Sequence, residues 1–291
     1  MRLSAIYKYV IDRCQGRIRF FHWYTIAVVL SMPNVAAAQP RIVSTDAGTT
    51  DILIALGQAQ HIVGVDVTST VPDEIKPAQV GYHRALSAEG ILSLRPSVVF
   101  GGEHLGPKEV IHALKQANIT LHQKPTAKNT QDLISNIKGI AKSLDLSSDA
   151  LVTDIQNLES QLQLTRKTNV KHSAVFLLDI GGRGIRQAGA KTTGDAFINL
   201  LGVTNVAGFD NYRSVSVEAM ILLQPDLILV GGESQKVVDR LLQQFPALAH
   251  TPAGKQNKII YVNAKALVSG ISPNAVREAS RVTKQYLLTQ Q

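Results

Sequence analysis

The sequence predicts an α/β protein of two similar Rossmann-like lobes, joined by a long helical backbone, with a ligand cleft between the lobes. Three observations carry this. Short apolar strands alternate with helical segments along most of the 291 residues, and strands that read as continuous apolar runs belong in parallel sheets covered on both faces. A pattern of helix, proline stop, buried strand, Gly-Gly turn and acid occurs at Ser87–Glu103 and again at Ser216–Glu233, so one α/β unit is present twice. Between the copies, Thr130–Thr168 places Leu133, Ile137, Ile140 and Leu144, then Leu151, Ile155, Leu158 and Leu162, at helical spacing. The second of these helices, about 18 residues and about 27 Å long at 1.5 Å per residue, is a strut that can bridge two lobes.

The chain begins with a different kind of segment. Residues 1–38 hold five basic residues and one acid, and residues 20–40 carry no charge. A basic stretch, the apolar run Trp23–Met32 and Ala36-Ala37-Ala38 give the layout of a secretory signal peptide cleaved near Ala38. The run falls short of the roughly 20 apolar residues a spanning helix needs. Cys14, the only cysteine, precedes it, so a cleaved chain has no disulfide, thiolate metal site or thiol nucleophile. An exported protein of this kind suits a bacterial periplasm. The expected organisation is a signal peptide over 1–38, an N-terminal lobe over 39–143, a bridging helix over 144–169 and a C-terminal lobe over 170–291.

Charge narrows the partners. The net +8 falls to +4 once 1–38 is set aside, and no Lys/Arg run occurs in 39–291, which disfavours nucleic acid.

The elements follow in order. Arg41–Ser44 reads as a strand and Thr49–Leu56 as a helix closed by Gly57. Ile62–Val67 is a β-branched strand, Ser87 opens a helix through Leu94, and Ser97–Phe100 is a strand ending at Gly101-Gly102. Val110–Ala117 is helical and Ile119–Leu121 a short strand. In the second half Ala174–Asp179, Leu227–Val230 and Ile259–Val262 are strands. Asp195–Leu201, Glu218–Leu223, Val237–Gln244 and Ala275–Leu287 are helices. Thr50–Gly57 is echoed by Gly194–Gly202, a second sign of duplication.

Catalytic motifs are missing: there is no G-x-S-x-G, P-loop or H-E-x-x-H. Gly181-Gly182-Arg183-Gly184 follows a strand but lacks dinucleotide spacing. His104, after Gly101-Gly102-Glu103, sits at the carboxyl end of a parallel strand, where ligand crevices form; it lines a cleft or stands on an exposed loop. Gly81–Gly90 reads as a loop entering a helix. If that loop is extended, Tyr82 and Arg84 share one side and His83 turns away from Tyr82. A phenolate is a hard ligand suited to ferric iron, and a neighbouring guanidinium favours its charged form. A surface tyrosine beside a salt-bridging arginine is the other reading of the same residues.

Gly81-Tyr82-x-Arg84-Ala85-Leu86-Ser87-Ala88-Glu89-Gly90 resembles the corresponding loop of haem-binding proteins of bacterial ABC importers. Arg41–Ser44, Thr50–Gly57 and Val63–Ser69 carry the same likeness, which covers about 41–289 and is shared in part with cobalamin and siderophore binders. The resemblance implies a periplasmic, monomeric, non-enzymatic carrier of haem (ferric protoporphyrin IX) that delivers to an ABC haem permease in the inner membrane. It implies Tyr82 as the axial iron ligand with Arg84 beside it, and Glu89 and Glu218 as the glutamates each lobe offers to the permease. Some relatives carry a His before the second-lobe Gly-Gly where this chain has Ile180. Haem propionates require cations, for which the second-lobe loops offer Arg183, Arg186 and Arg213, with Arg213 favoured. The alternatives are a cobalamin or ferric-siderophore carrier of the same class, or an exported α/β enzyme.

Overall fold

The structure, a computed structural model, describes residues 39–169, 171–181 and 184–288. The expected signal peptide and Arg183 lie outside them.

The first lobe is a wound sheet. Its elements run β1 (Ile42–Ser44), α1 (Ala47–Ala55), β2 (Ile62–Val65), β3 (Ala78–Gln79), β4 (Gly81–Tyr82), β5 (Ala85–Leu86), α2 (Ala88–Ser93), β6 (Val98–Gly102), α3 (Lys108–Gln116) and β7 (Thr120–Lys124). The sheet has the order β3-β2-β1-β6-β7 and every pairing in it is parallel. β4 and β5 form a separate antiparallel hairpin.

Two helices follow, α4 (Thr130–Ser143) and α5 (Asp149–Asn169). α5 has 21 residues, about 32 Å of helix. The second lobe contains β8 (Ser173–Asp179), β9 (Ile185–Ala188), α6 (Thr193–Leu201), β10 (Thr204–Asn205), β11 (Tyr212–Ser214), α7 (Val217–Leu222), β12 (Leu227–Gly232), α8 (Lys236–Gln244) and β13 (Ile259–Asn263). Its sheet has the order β11-β9-β8-β12-β13, with β10 also paired to β8. This sheet is mixed rather than wholly parallel, because β9 turns back antiparallel on β8 and β11 pairs antiparallel with β9. The chain then returns towards the first lobe and ends in α9 (Pro273–Val282), continued by a π-helical turn over Thr283–Leu287.

Strand parity decides where the core lies. Ile42, Val98 and Phe100 of the first sheet, and Ala174, Phe176, Leu227 and Leu229 of the second, belong to one apolar cluster with Leu133 and Ile137 of α4, Ile155 and Leu162 of α5, and Val276 and Ala279 of α9. Their neighbours one residue along face the other way. Val43 and Val99 build an outer cluster in the first lobe, and Val175, Ile228 and Val230 build one in the second. Both sets are buried, which is why these strands read as unbroken apolar runs. The two lobes therefore share one core along the helical backbone.

The duplicated unit keeps its local chemistry. Ser87 Oγ accepts the Gly90 N–H at 3.0 Å and Ser216 Oγ accepts the Ala219 N–H at 3.2 Å, the N-cap geometry that favours serine before a helix. Arg95 and Gln224, each before its proline, both adopt left-handed φ (47° and 42°). β12 is one residue longer than β6, six against five, so the copies match to the proline and differ by one residue in the strand.

Candidate functional site

The carboxyl ends of both sheets open on one cavity of about 970 Å³, the crevice position expected for wound α/β sheets. From the first lobe come Val67, Tyr82, His83, Arg84, His104 and Thr126. The second lobe adds Phe176, Leu178, Ile180 and Tyr212, and the returning chain supplies Leu267 and Val268. A cavity of this size, in which apolar patches are set among many polar and charged side chains, has room for one large ligand.

Tyr82 is delivered by the β4–β5 hairpin, not by an extended loop. Gly81 pairs with Leu86 and Tyr82 with Ala85, so His83 and Arg84 form the two-residue turn. Gly81 has φ +107°, and a Cβ there would lie 2.8 Å from the Ala85 carbonyl oxygen, so the glycine of the motif is a backbone requirement. The hairpin is tied down by Gly106, whose N–H donates to the His83 carbonyl at 2.9 Å and whose carbonyl accepts from the Leu86 N–H at 3.1 Å. The expectation that His83 turns away from Tyr82 is corrected here. Strand alternation ends at Tyr82, and in the turn the imidazole lies against the phenol ring with centroids 4.0 Å apart.

Tyr82 is 44% exposed, and among the described residues nothing hydrogen-bonds its hydroxyl. Tyr212, the phenol on the opposite lobe, differs. Its oxygen accepts the Gly194 N–H at 3.2 Å and lies 3.4 Å from Thr193 Oγ1, and burial pushes its pKa up. Tyr212 is thus a neutral group closing the start of α6, while Tyr82 is an exposed phenol of the cavity lining.

The cationic lining also departs from expectation. Arg84 lines the cavity, and His104 does too with a half-exposed side chain, 3.7 Å from Glu103. Arg213 does not line it. β11 is a strand, so with Tyr212 turned inward Arg213 points to the other face, where its guanidinium sits 5.1 Å from the Phe209 ring centroid. Arg186, opposite Ser214 in the β9–β11 ladder, is also outside the lining. Besides Arg84, the lysines and arginines of the lining are Lys191, Arg240 and Lys265. Lys191 is paired with Asp210 at 2.7 Å and Arg240 with Asp179 at 2.8 Å, whereas Lys265 has no carboxylate partner among the described residues. None of the three carried a motif; only the assembled fold brings residues 191, 240 and 265 together.

The floor is fixed to the first lobe. Lys124 Nζ donates to the Ser269 carbonyl at 3.0 Å and stands 3.9 Å from Asp46 Oδ1. Asp46 in turn caps α1 through the Thr49 N–H at 2.8 Å. Glu89 and Glu218 are exposed, each in the first turn of its helix, α2 and α7. The Glu218 carboxyl is held below its usual range by its own backbone N–H and by Ser216.

A family model described as periplasmic binding protein matches residues 42–266. The chain belongs to this family. The crystal structure of the periplasmic haem-binding protein HutB of Vibrio cholerae is similar to it, with 35% identity and a TM-score of 0.76 over 87% of this chain and 100% of that one. Among curated relatives, an uncharacterized ABC transporter substrate-binding lipoprotein of Bacillus subtilis is 26% identical over 69% of this chain and 66% of its own length. The vitamin B12-binding protein of Pectobacterium atrosepticum is 24% identical over 76% of this chain and 81% of its own. The family's two-lobed architecture is the one described above, and no described helix is long and apolar enough to cross a membrane.

Proposed function

We propose that this binding protein captures haem in the cavity between its lobes and hands it to an ABC importer, after export with a leader removed near Ala38. The observation that carries the reading is Tyr82. It is a half-exposed phenol, its oxygen without a hydrogen-bond partner among the described residues, two residues from Arg84 in the lining of a large cavity. A hard phenolate oxygen suits ferric iron. Val67, Leu178 and Val268 offer apolar surface to a porphyrin, and Arg84 with Lys265 offers charge to its propionates. The similarity to HutB, a periplasmic haem-binding protein, supports the same choice. The lobes, about 39–143 and 170–291, meet the ligand from either side of the α5 bridge, and the exposed Glu89 and Glu218 provide one carboxylate per lobe for the importer.

A cobalamin carrier is the second reading, favoured by the name of the Pectobacterium relative. Titration separates the two. Purified mature protein takes up hemin with a phenolate-to-iron charge-transfer band, and Tyr82→Phe loses that band and binds at least about tenfold more weakly, ~1.4 kcal/mol. Tight binding of cyanocobalamin with no hemin spectrum assigns the second reading instead.

A further inference from the structure

We infer that His83, braced by the buried Asp66 carboxylate, is the residue that positions the Tyr82 ring for its ligand. The inference rests on the haem reading and concerns the same site.

A two-residue hairpin turn is ordinarily a solvent-facing place. Arg84 conforms and is exposed, whereas His83 is only 9% exposed. Its ring leans on the Tyr82 ring at 4.0 Å between centroids, tilted 46°. Its Nδ1 is buried without a hydrogen-bond partner and lies 3.6 Å from Asp66 Oδ2. A buried polar atom left in this state calls for a reason, and among the described residues the anion set beside it is Asp66.

Asp66 is itself immobile. It is fully buried. Its Oδ2 accepts from Thr68 Oγ1 at 2.7 Å, and its Oδ1 accepts from the Ser69 N–H at 3.1 Å and Ser69 Oγ at 2.7 Å. Ser69 Oγ lies 2.7 Å from Thr50 Oγ1, which donates to Ser44 Oγ at 2.7 Å. A polar chain thus runs from β1 and α1, at the centre of the first sheet, to Asp66, whose Oδ2 stands 3.6 Å from the imidazole behind Tyr82. A half-exposed tyrosine on a short hairpin otherwise samples several rotamers. A buried imidazole packed against the ring removes some of them and lowers the ordering cost when the ligand arrives. His83 need not touch the iron for this.

The test compares hemin affinity, absorption and electron paramagnetic resonance of the ferric complex in wild type, Tyr82→Phe, His83→Ala, His83→Phe and Asp66→Asn. His83→Ala is expected to bind hemin about five- to tenfold more weakly. Its charge-transfer band should shift and broaden as the iron–phenolate geometry becomes heterogeneous. Asp66→Asn should move both readouts in the same direction, and adding it to His83→Ala should cost nothing further, since the two act as one unit. If His83→Ala fails to fold, His83→Phe takes its place. It keeps a ring against the phenol but cannot engage Asp66, so its band should still be broadened. A wild-type band and affinity in His83→Ala, a wild-type band in His83→Phe, or additive losses in the double variant would overturn the inference. Failure of wild type to bind hemin, or a band that survives Tyr82→Phe, overturns the haem reading itself and this inference with it. Loss of the band in Tyr82→Phe together with an unchanged His83→Ala overturns the positioning role alone.

Discussion

Ser272 donates its hydroxyl to Oδ2 of Asp51 at 2.8 Å, across 221 residues of chain. Ser272 Oγ in turn accepts the Ala275 N–H at 3.2 Å, so one serine caps α9 and ties it to α1. Asp51 is buried, and desolvation raises its pKa from 3.8 to about 6, against the opposing pull of Ser272, Asn274 and Arg277. The folded state therefore favours the protonated acid. Stability from this group is fully present below pH 3.8 and is lost as pH rises through about 6. At ~1.4 kcal/mol per pH unit the ionised carboxylate costs about 3 kcal/mol at neutral pH. Asp51→Asn should raise the melting temperature at pH 7.5 and leave it nearly unchanged at pH 4. Equal effects at the two pH values would show that the carboxyl does not titrate in this way.

That tie was not legible in the sequence, whereas much of the fold was. Val98–Phe100 and Leu227–Val230 announce themselves because burial on both faces erases alternation. The serines before α2 and α7 announce their helices. β4, β5 and β11 do not, since strands of two or three residues have no period to read. Arg213 was misplaced for this reason: on a loop its direction is open, while on β11 the inward Tyr212 settles it. Tyr82 and Arg84 were legible as a pair through their motif. His83 was not, because its burial depends on Asp66 and Gly106, neither of which is a local neighbour.

Lys265 provides a test of how the cleft meets negative charge. Unlike Lys191 and Arg240 it has, among the described residues, no carboxylate to release before binding. Lys265→Ala should weaken hemin binding by about threefold to tenfold, the scale of one charge-assisted hydrogen bond partly open to water. Arg213→Ala should change it little. Paired titrations with hemin and its dimethyl ester check the assignment, because the ester should bind Lys265→Ala and wild type alike.

Glu89 and Glu218 stand on equivalent first turns of the duplicated unit. Both helices already have serine caps, so replacing either glutamate should cost only a few tenths of a kcal/mol. Exposed charges that match a partner govern encounter and register. The Glu89→Ala, Glu218→Ala double variant should keep its hemin titration and melting temperature. It should lose most haem transport into vesicles carrying the cognate importer. Transport at the wild-type rate would leave these residues as helix-end charges only.

Ile155 is completely buried on α5, within the cluster that includes both sheets. Ile155→Ala should cost about 2–5 kcal/mol through lost burial and a residual cavity. The loss should appear in one calorimetric transition. Two separated transitions, only one of them shifted, would mean that the lobes unfold independently.

The shared core bears on how such a chain can be divided. A gene cut between α4 and α5, or after α5, would yield fragments that each expose apolar residues of the shared cluster. Separately expressed halves should therefore aggregate or await each other, and co-expression should restore a single particle. The internal duplication records two copies of a unit, yet each copy has given up self-sufficiency: its inner strand residues are now matched to a spine that the other copy helps to enclose.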